Sequence, residues 1–177
     1  MTDGLEHPDL QGVAGEMRAE WRAETEAATE DAATAWRHGR TLQDWLAERA
    51  NAGDRIAVTI GGQRFAGLVE ETGPDLVGLR AVFGRVDLHL VPGLPLVIEL
   101  IDHPRAGGAR PRTGRTFRDA LIERDGRSDT SVGSFLHPDG VDGTLYVGQD
   151  FISVVAMRGA ETVLPLQYVT WVTARRT

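Results

Sequence analysis

The chain has no cysteine and no lysine. The first absence removes disulfides, thiolate metal ligands and cysteine nucleophiles together. The second leaves nineteen basic residues that are all arginine, so no lysine is present to form a Schiff base or to serve in a phosphate-binding loop. An arginine-only basic set fits a GC-rich coding sequence. No apolar run reaches the ~18 residues of a membrane span. The opening "MTDGLEHPDLQG" is acidic and polar, unlike a secretory leader, so the expected location is the cytoplasm. Also missing are a Gly-x-Ser-x-Gly elbow, a Walker loop and paired catalytic carboxylates. Neither an enzyme nor a cofactor is expected.

What is present is 177 residues, 41% of them hydrophobic, enough for one domain or two small ones with a real core. The net charge of −7 is uneven: −5 over residues 1–40, −3 over 41–101 and +1 over 102–177. A protein that grips nucleic acid by its phosphates shows a basic footprint. Here only "PRAGGARPRTGRTFR" (104–118) has one, with five Arg and no acid.

Residues from about Pro8 to Arg37 read as one long helix, with apolar positions at near-helical spacing and Gly39 as its stop. Its Ala-rich stripe is narrow and suits packing on another surface, either of its own chain or of a partner. Met17, Trp21 and Trp36, with Trp45 beyond, are the candidate interface anchors.

Two nine-residue stretches then say nearly the same thing. "TLQDWLAER" (41–49) and "TFRDALIER" (116–124) share five identical positions at an offset of 75. Thr41 with Asp44, and Thr116 with Asp119, have the spacing of a helix N-cap and a first-turn anion. Each stretch predicts a helix of about ten residues, with Leu42, Trp45 and Leu46 buried in the first and Phe117, Ala120 and Leu121 in the second.

Strand-like runs follow both helices. The first set is "RIAVTI", a Gly-Gly turn, "QRFAGLVEET", "DLVGLRAV", "RVDLHLV" and "LPLVIEL". The second is "TSVGSFL", "TLYVG", "DFISVVAM", "TVLPL", "QYV" and "TWVTA". "RVDLHL" alternates as a half-buried strand should. Asp75 and Asp150, Ala81 and Ala156, Gly84 and Gly159, and Val97 and Val172 keep the offset of 75, and Gly67 meets Gly143 at 76. An internal duplication is inferred. The domains are then a helical segment at 1–40, one copy at 41–103, an Arg/Gly/Pro linker at 104–115 and a second copy at 116–177. Each copy is a helix followed by five short strands. A sheet so small avoids open edges by closing into a barrel or by pairing with its neighbour.

This layout resembles the Sm-like fold, an SH3-like small barrel of the LSm and Hfq type. The likeness is carried by the helix 42–50, the Gly61-Gly62 turn, Gly67 in strand two, Asp75 before strand three and the Arg158-Gly159 pair. The organisation is also similar to that of uncharacterised actinobacterial proteins. The resemblance implies a mainly β fold with an N-terminal helix and two tandem five-stranded barrels. It also implies assembly into a homo-oligomer or with a protein partner. RNA contacts in that family lie in the loop before strand three and around the second motif, which here puts Tyr146 and Arg158 forward. Arg105, Arg110, Arg112 and Arg115 of the basic segment complete the candidate polyanion surface. In the first copy, Glu70 and Glu71 oppose phosphate. The preferred function is a non-enzymatic protein-binding or assembly module, and the alternative is an RNA-binding regulator.

Weaker signals have plainer readings. Asp87-x-His89 and His137-x-Asp139 are the close His/carboxylate pairs, but no third ligand is in view, so no metal is expected. "RDGRSDTSVGSF" (124–135) has Arg, Asp, Ser and Gly in an order that loosely suggests a nucleotide, and turn chemistry explains it more simply.

Overall fold

The structure is a computed structural model. It describes residues 8–103, 107–108 and 110–174, with side chains from Gly15 onward. Two compact units emerge, one ending at Thr41 and one running from Leu42.

The first unit is the helix α1 (Pro8–Gly39), 32 residues long and about 48 Å from end to end. Proline is tolerated at a helix start, where its missing N–H has no partner to lose. Thr25 and Thr29 turn their hydroxyls back on the carbonyls of Trp21 and Thr25, each at 2.7 Å. Arg40 lies over the Trp36 ring at 4.2 Å. Met17, Trp21 and Trp36 are exposed.

The second unit is mainly β. Helix α2 (Leu42–Ala52) leads into β1 (Arg55–Ile60), β2 (Gln63–Thr72), β3 (Leu76–Ala81), β4 (Gly84–His89) and β5 (Leu96–Asp102). A short β6 (Arg112–Thr113) and helix α3 (Phe117–Ile122) precede β7 (Thr130–Ser134), β8 (Val141–Val147), β9 (Phe151–Val155), β10 (Glu161–Pro165) and β11 (Val169–Ala174). A single 3-10 turn, Leu166–Tyr168, joins the last two strands. Together they form one 11-stranded sheet in the order β10-β9-β8-β7-β11-β4-β3-β2-β1-β5, with β6 beside β2. Every pairing is antiparallel except β2 with β6. The path is open: β10 and β5 are its ends.

The order β5-β1-β2-β3-β4 in the first half recurs as β11-β7-β8-β9-β10 in the second. Local devices recur too. Ile60 pairs with Gln63 across Gly61 and Gly62, both at positive φ, as a two-residue hairpin loop requires. A Cβ on Gly67 would meet the Arg80 carbonyl at 2.5 Å, and one on Gly143 would meet the Val155 carbonyl at 2.3 Å. Arg80 and Val155 are 75 residues apart. The two glycines therefore do one job at equivalent places: each lets a neighbouring backbone approach where a side chain would collide.

Two hydrophobic clusters fill the unit. The first gathers Leu46, Ile56, Val58, Ile60, Leu79 and Leu88, and the second Phe117, Leu121, Val132, Leu145, Ile152 and Val172.

Several expectations change in the structure. Helix α3 has six residues instead of about ten. Its cap is as expected: Asp119 N–H donates to Thr116 Oγ1 at 3.2 Å, and Thr116 N–H to Asp119 Oδ2 at 2.9 Å. Phe117, Ala120 and Leu121 are buried, whereas Leu42 in α2 is exposed. Strand β4 is not half-buried, because Val86, Asp87 and Leu88 are all fully covered. The reason is that β4 lies in the middle of the sheet, with β3 on one side and β11 on the other. The segment read as a linker is docked in part. Arg112 and Thr113 pair with Glu71 and Thr72, and Gly108 N–H donates to the Asn51 carbonyl at 2.9 Å.

Candidate functional site at the strand junction and its open ends

The halves are joined by β4 and β11, with Trp171 opposite Leu88, Val172 opposite Asp87 and Thr173 opposite Val86. Each half lends the other a side chain. Trp171 of β11 enters the first cluster, where its ring lies 5.4 Å from Phe65, and Leu76 of β3 enters the second. Asp75 Oδ1 accepts the Phe117 N–H at 2.8 Å, and so holds the start of α3. His89 at the end of β4 stacks flat on Phe117 at 4.4 Å, and its Nδ1–H donates to the Val169 carbonyl at 2.8 Å. Burial pushes the His89 pKa below its ordinary value. The Val169 bond and the Asp75 carboxylate oppose this more weakly.

Charges are buried beside this seam. Glu71 and Asp87 are fully covered. Arg85 bridges them, donating from Nε to Asp87 Oδ1 at 2.8 Å and from Nη2 to Glu71 Oε2. Arg115 adds Nη1 to Glu71 Oε2 at 3.1 Å and Nη2 to Glu123 at 2.8 Å. Arg124 brings Nη2 to 2.7 Å from Asp87 Oδ2. Burial alone would lower the Arg85 pKa, but the two carboxylates outweigh it and hold the guanidinium above its ordinary value. Charges taken out of water in this way persist only with partners. Sequence reasoning placed none of these six together.

The seam residues have counterparts 75 positions away in the other half. Leu76 is fully buried, and its counterpart Phe151 is 42% exposed. Phe117 is fully buried, and its counterpart Leu42 is 43% exposed. Along the end strands, Val97 and Val163 are more than half exposed, and Leu100 and Ile101 are exposed as well.

The sequence-predicted candidates are dispersed. Arg105 lies outside the described residues. Arg110 and Arg112 line a cleft in the first half. Arg115 is held by Glu71 and Glu123. Tyr146 is exposed on β8, and Arg158 is exposed between β9 and β10. Trp45 is half-buried against the first cluster with Arg49 over its ring at 5.6 Å. The candidate metal pairs are used otherwise: Asp87 faces arginines, His89 faces Val169, and Asp139 accepts from Gln63 at 3.0 Å. Among the described residues no group of three His, Asp or Glu could hold a metal. None of the described helices is long and apolar enough to cross a membrane.

Comparison with protein-family models, with curated proteins and with solved structures gave no match.

Proposed function

We propose that this chain is a non-enzymatic assembly module: two Sm-like small barrels in tandem, descended from one duplicated unit, that take protein partners at their free strand edges. The first such partner is another copy of the chain. One observation carries this reading. The apolar residues buried at the internal seam, Leu76 and Phe117, have exposed apolar counterparts, Phe151 and Leu42, and Phe151 pairs with Pro165 on the end strand β10. An unpaired strand with apolar neighbours is a template for a further strand. Pairing β10 of one copy with β5 of the next would repeat the seam and cover both ends. Such a contact is heterologous, so it propagates until it closes into a ring.

The test is the molar mass by light scattering across a concentration series. The intact chain is expected to exceed the monomer. Val97→Lys and Val163→Lys, which place a charge on each exposed edge without touching the core, are expected to return it to monomer. A monomer at every concentration overturns the reading.

A further inference from the structure

A cleft of about 640 Å³ opens on the first half, away from the seam's strand pairing. Its floor is Leu68, Val69 and Ala50, and its rim carries Arg55, Arg80, Arg85, Arg110 and Arg112 against the single carboxylate of Glu70. In a chain of net charge −7 this is a concentration of positive charge. Two of the five are held in place. Arg80 pairs with Glu70 at 3.0 Å, and Arg85 is anchored from below by Glu71 and Asp87. Arg55, Arg110 and Arg112 are exposed, and among the described residues none of them has an ion pair. Like charges gathered round one hollow repel until something negative lies between them.

The backbone keeps that arrangement. Gly108 sits so close to the end of α2 that a Cβ would meet the Ala50 carbonyl at 2.1 Å. Its N–H bond to Asn51 fixes Gly108, and strand pairing with Glu71 fixes Arg112.

We propose that this cleft binds a small phosphorylated molecule of nucleotide size. Its phosphates lie among Arg55, Arg110 and Arg112, and its ring system lies on Leu68. The volume falls within the ordinary range for small-ligand sites, and apolar walls with a few convergent charges are the composition such sites have. Guanidinium groups match phosphate oxygens in paired fashion. A cleft of this size takes one or two nucleotides, not a strand, which favours a small ligand over RNA. The proposal does not rest on the assembly reading: none of the cleft residues lies on β5 or β10.

The test is calorimetric titration of the full chain at low salt with ADP, inorganic pyrophosphate and adenosine. ADP is expected to bind saturably at one site, pyrophosphate more weakly and adenosine not at all. Arg55→Ala with Arg110→Ala, both exposed and unpaired, is expected to weaken ADP binding about tenfold or more while leaving the far-ultraviolet dichroism unchanged. Arg158→Ala, in the second half, is expected to leave binding as it was. Absence of saturable ADP heat overturns the proposal, as does equal affinity in the double variant. Tighter binding of a single-stranded RNA oligonucleotide through the same arginines would also overturn it, by making the cleft part of a nucleic-acid track.

Discussion

Arg124 of the second half stands 2.7 Å from Asp87 of the first, Nη2 to Oδ2, with the carboxylate fully buried. The pair crosses the seam, and Arg85 holds the other oxygen of the same carboxylate. Asp87→Ala leaves Arg124 without its carboxylate and Arg85 with Glu71 alone, and breaking a buried pair from one side costs about 3–5 kcal/mol. Urea denaturation is expected to show a loss of that order. The double variant Asp87→Leu with Arg124→Leu is expected to lose less than the two single variants summed, because neither charge is then left alone.

Trp171 is accommodated by an absence. A Cβ on Gly133 would meet the indole at 2.0 Å. Gly133→Ala is therefore expected to destabilise the fold by about 1–3 kcal/mol through overpacking. In a Trp171→Phe background most of that penalty is expected to vanish, since the smaller ring leaves the space. Thermal melts of the four proteins decide it.

His89 makes the fold sensitive to acid. Its folded pKa lies below the ordinary 6.5 because burial disfavours the charged ring. The unfolded chain therefore takes up the proton first as pH falls. The stability that neutral His89 contributes is complete above about pH 6.5 and declines below it. Melting midpoints between about pH 8 and pH 5 are expected to fall more steeply for the native chain than for His89→Gln.

The described members of both hydrophobic clusters all come from residue 46 onward. A chain starting at residue 39 is expected to keep the melting transition and the strand-type dichroism of the whole. Loss of cooperative unfolding in that shorter chain would show that the helix is needed for the core.

Much of the scaffold was legible because its signals are local. Pro8 and Gly39 bound α1, Gly61-Gly62 separates β1 from β2, and the Thr116/Asp119 spacing marks the start of α3. The near-repeat of "TLQDWLAER" at 116–124 marks the second half. What stayed hidden depends on distant partners. Alternation in "RVDLHL" suggests one wet face, yet Asp87 is dry because β11 arrives from some 85 positions later, bringing with it α3 and Arg124. Gly133 lies in the strand-like run "TSVGSFL", and nothing local shows why glycine is needed there until Trp171 is seen against it. The basic segment reads as a linker because its strand pairing with Glu71 and Thr72 spans only two residues, too few for any periodic pattern.

The lack of native cysteine allows a direct test of how the ends meet. At the internal seam Val172 stands opposite Asp87, and the corresponding end residues are Val97 on β5 and Thr162 on β10. A chain carrying Val97→Cys and Thr162→Cys is to be oxidised mildly and its products sized on a denaturing gel. The expected result is a ladder or closed set of disulfide-linked chains, with far less linkage when Thr162→Cys is combined with an out-of-register Leu100→Cys. Equal linkage in the two proteins, or none in either, would contradict assembly through repeated strand pairing.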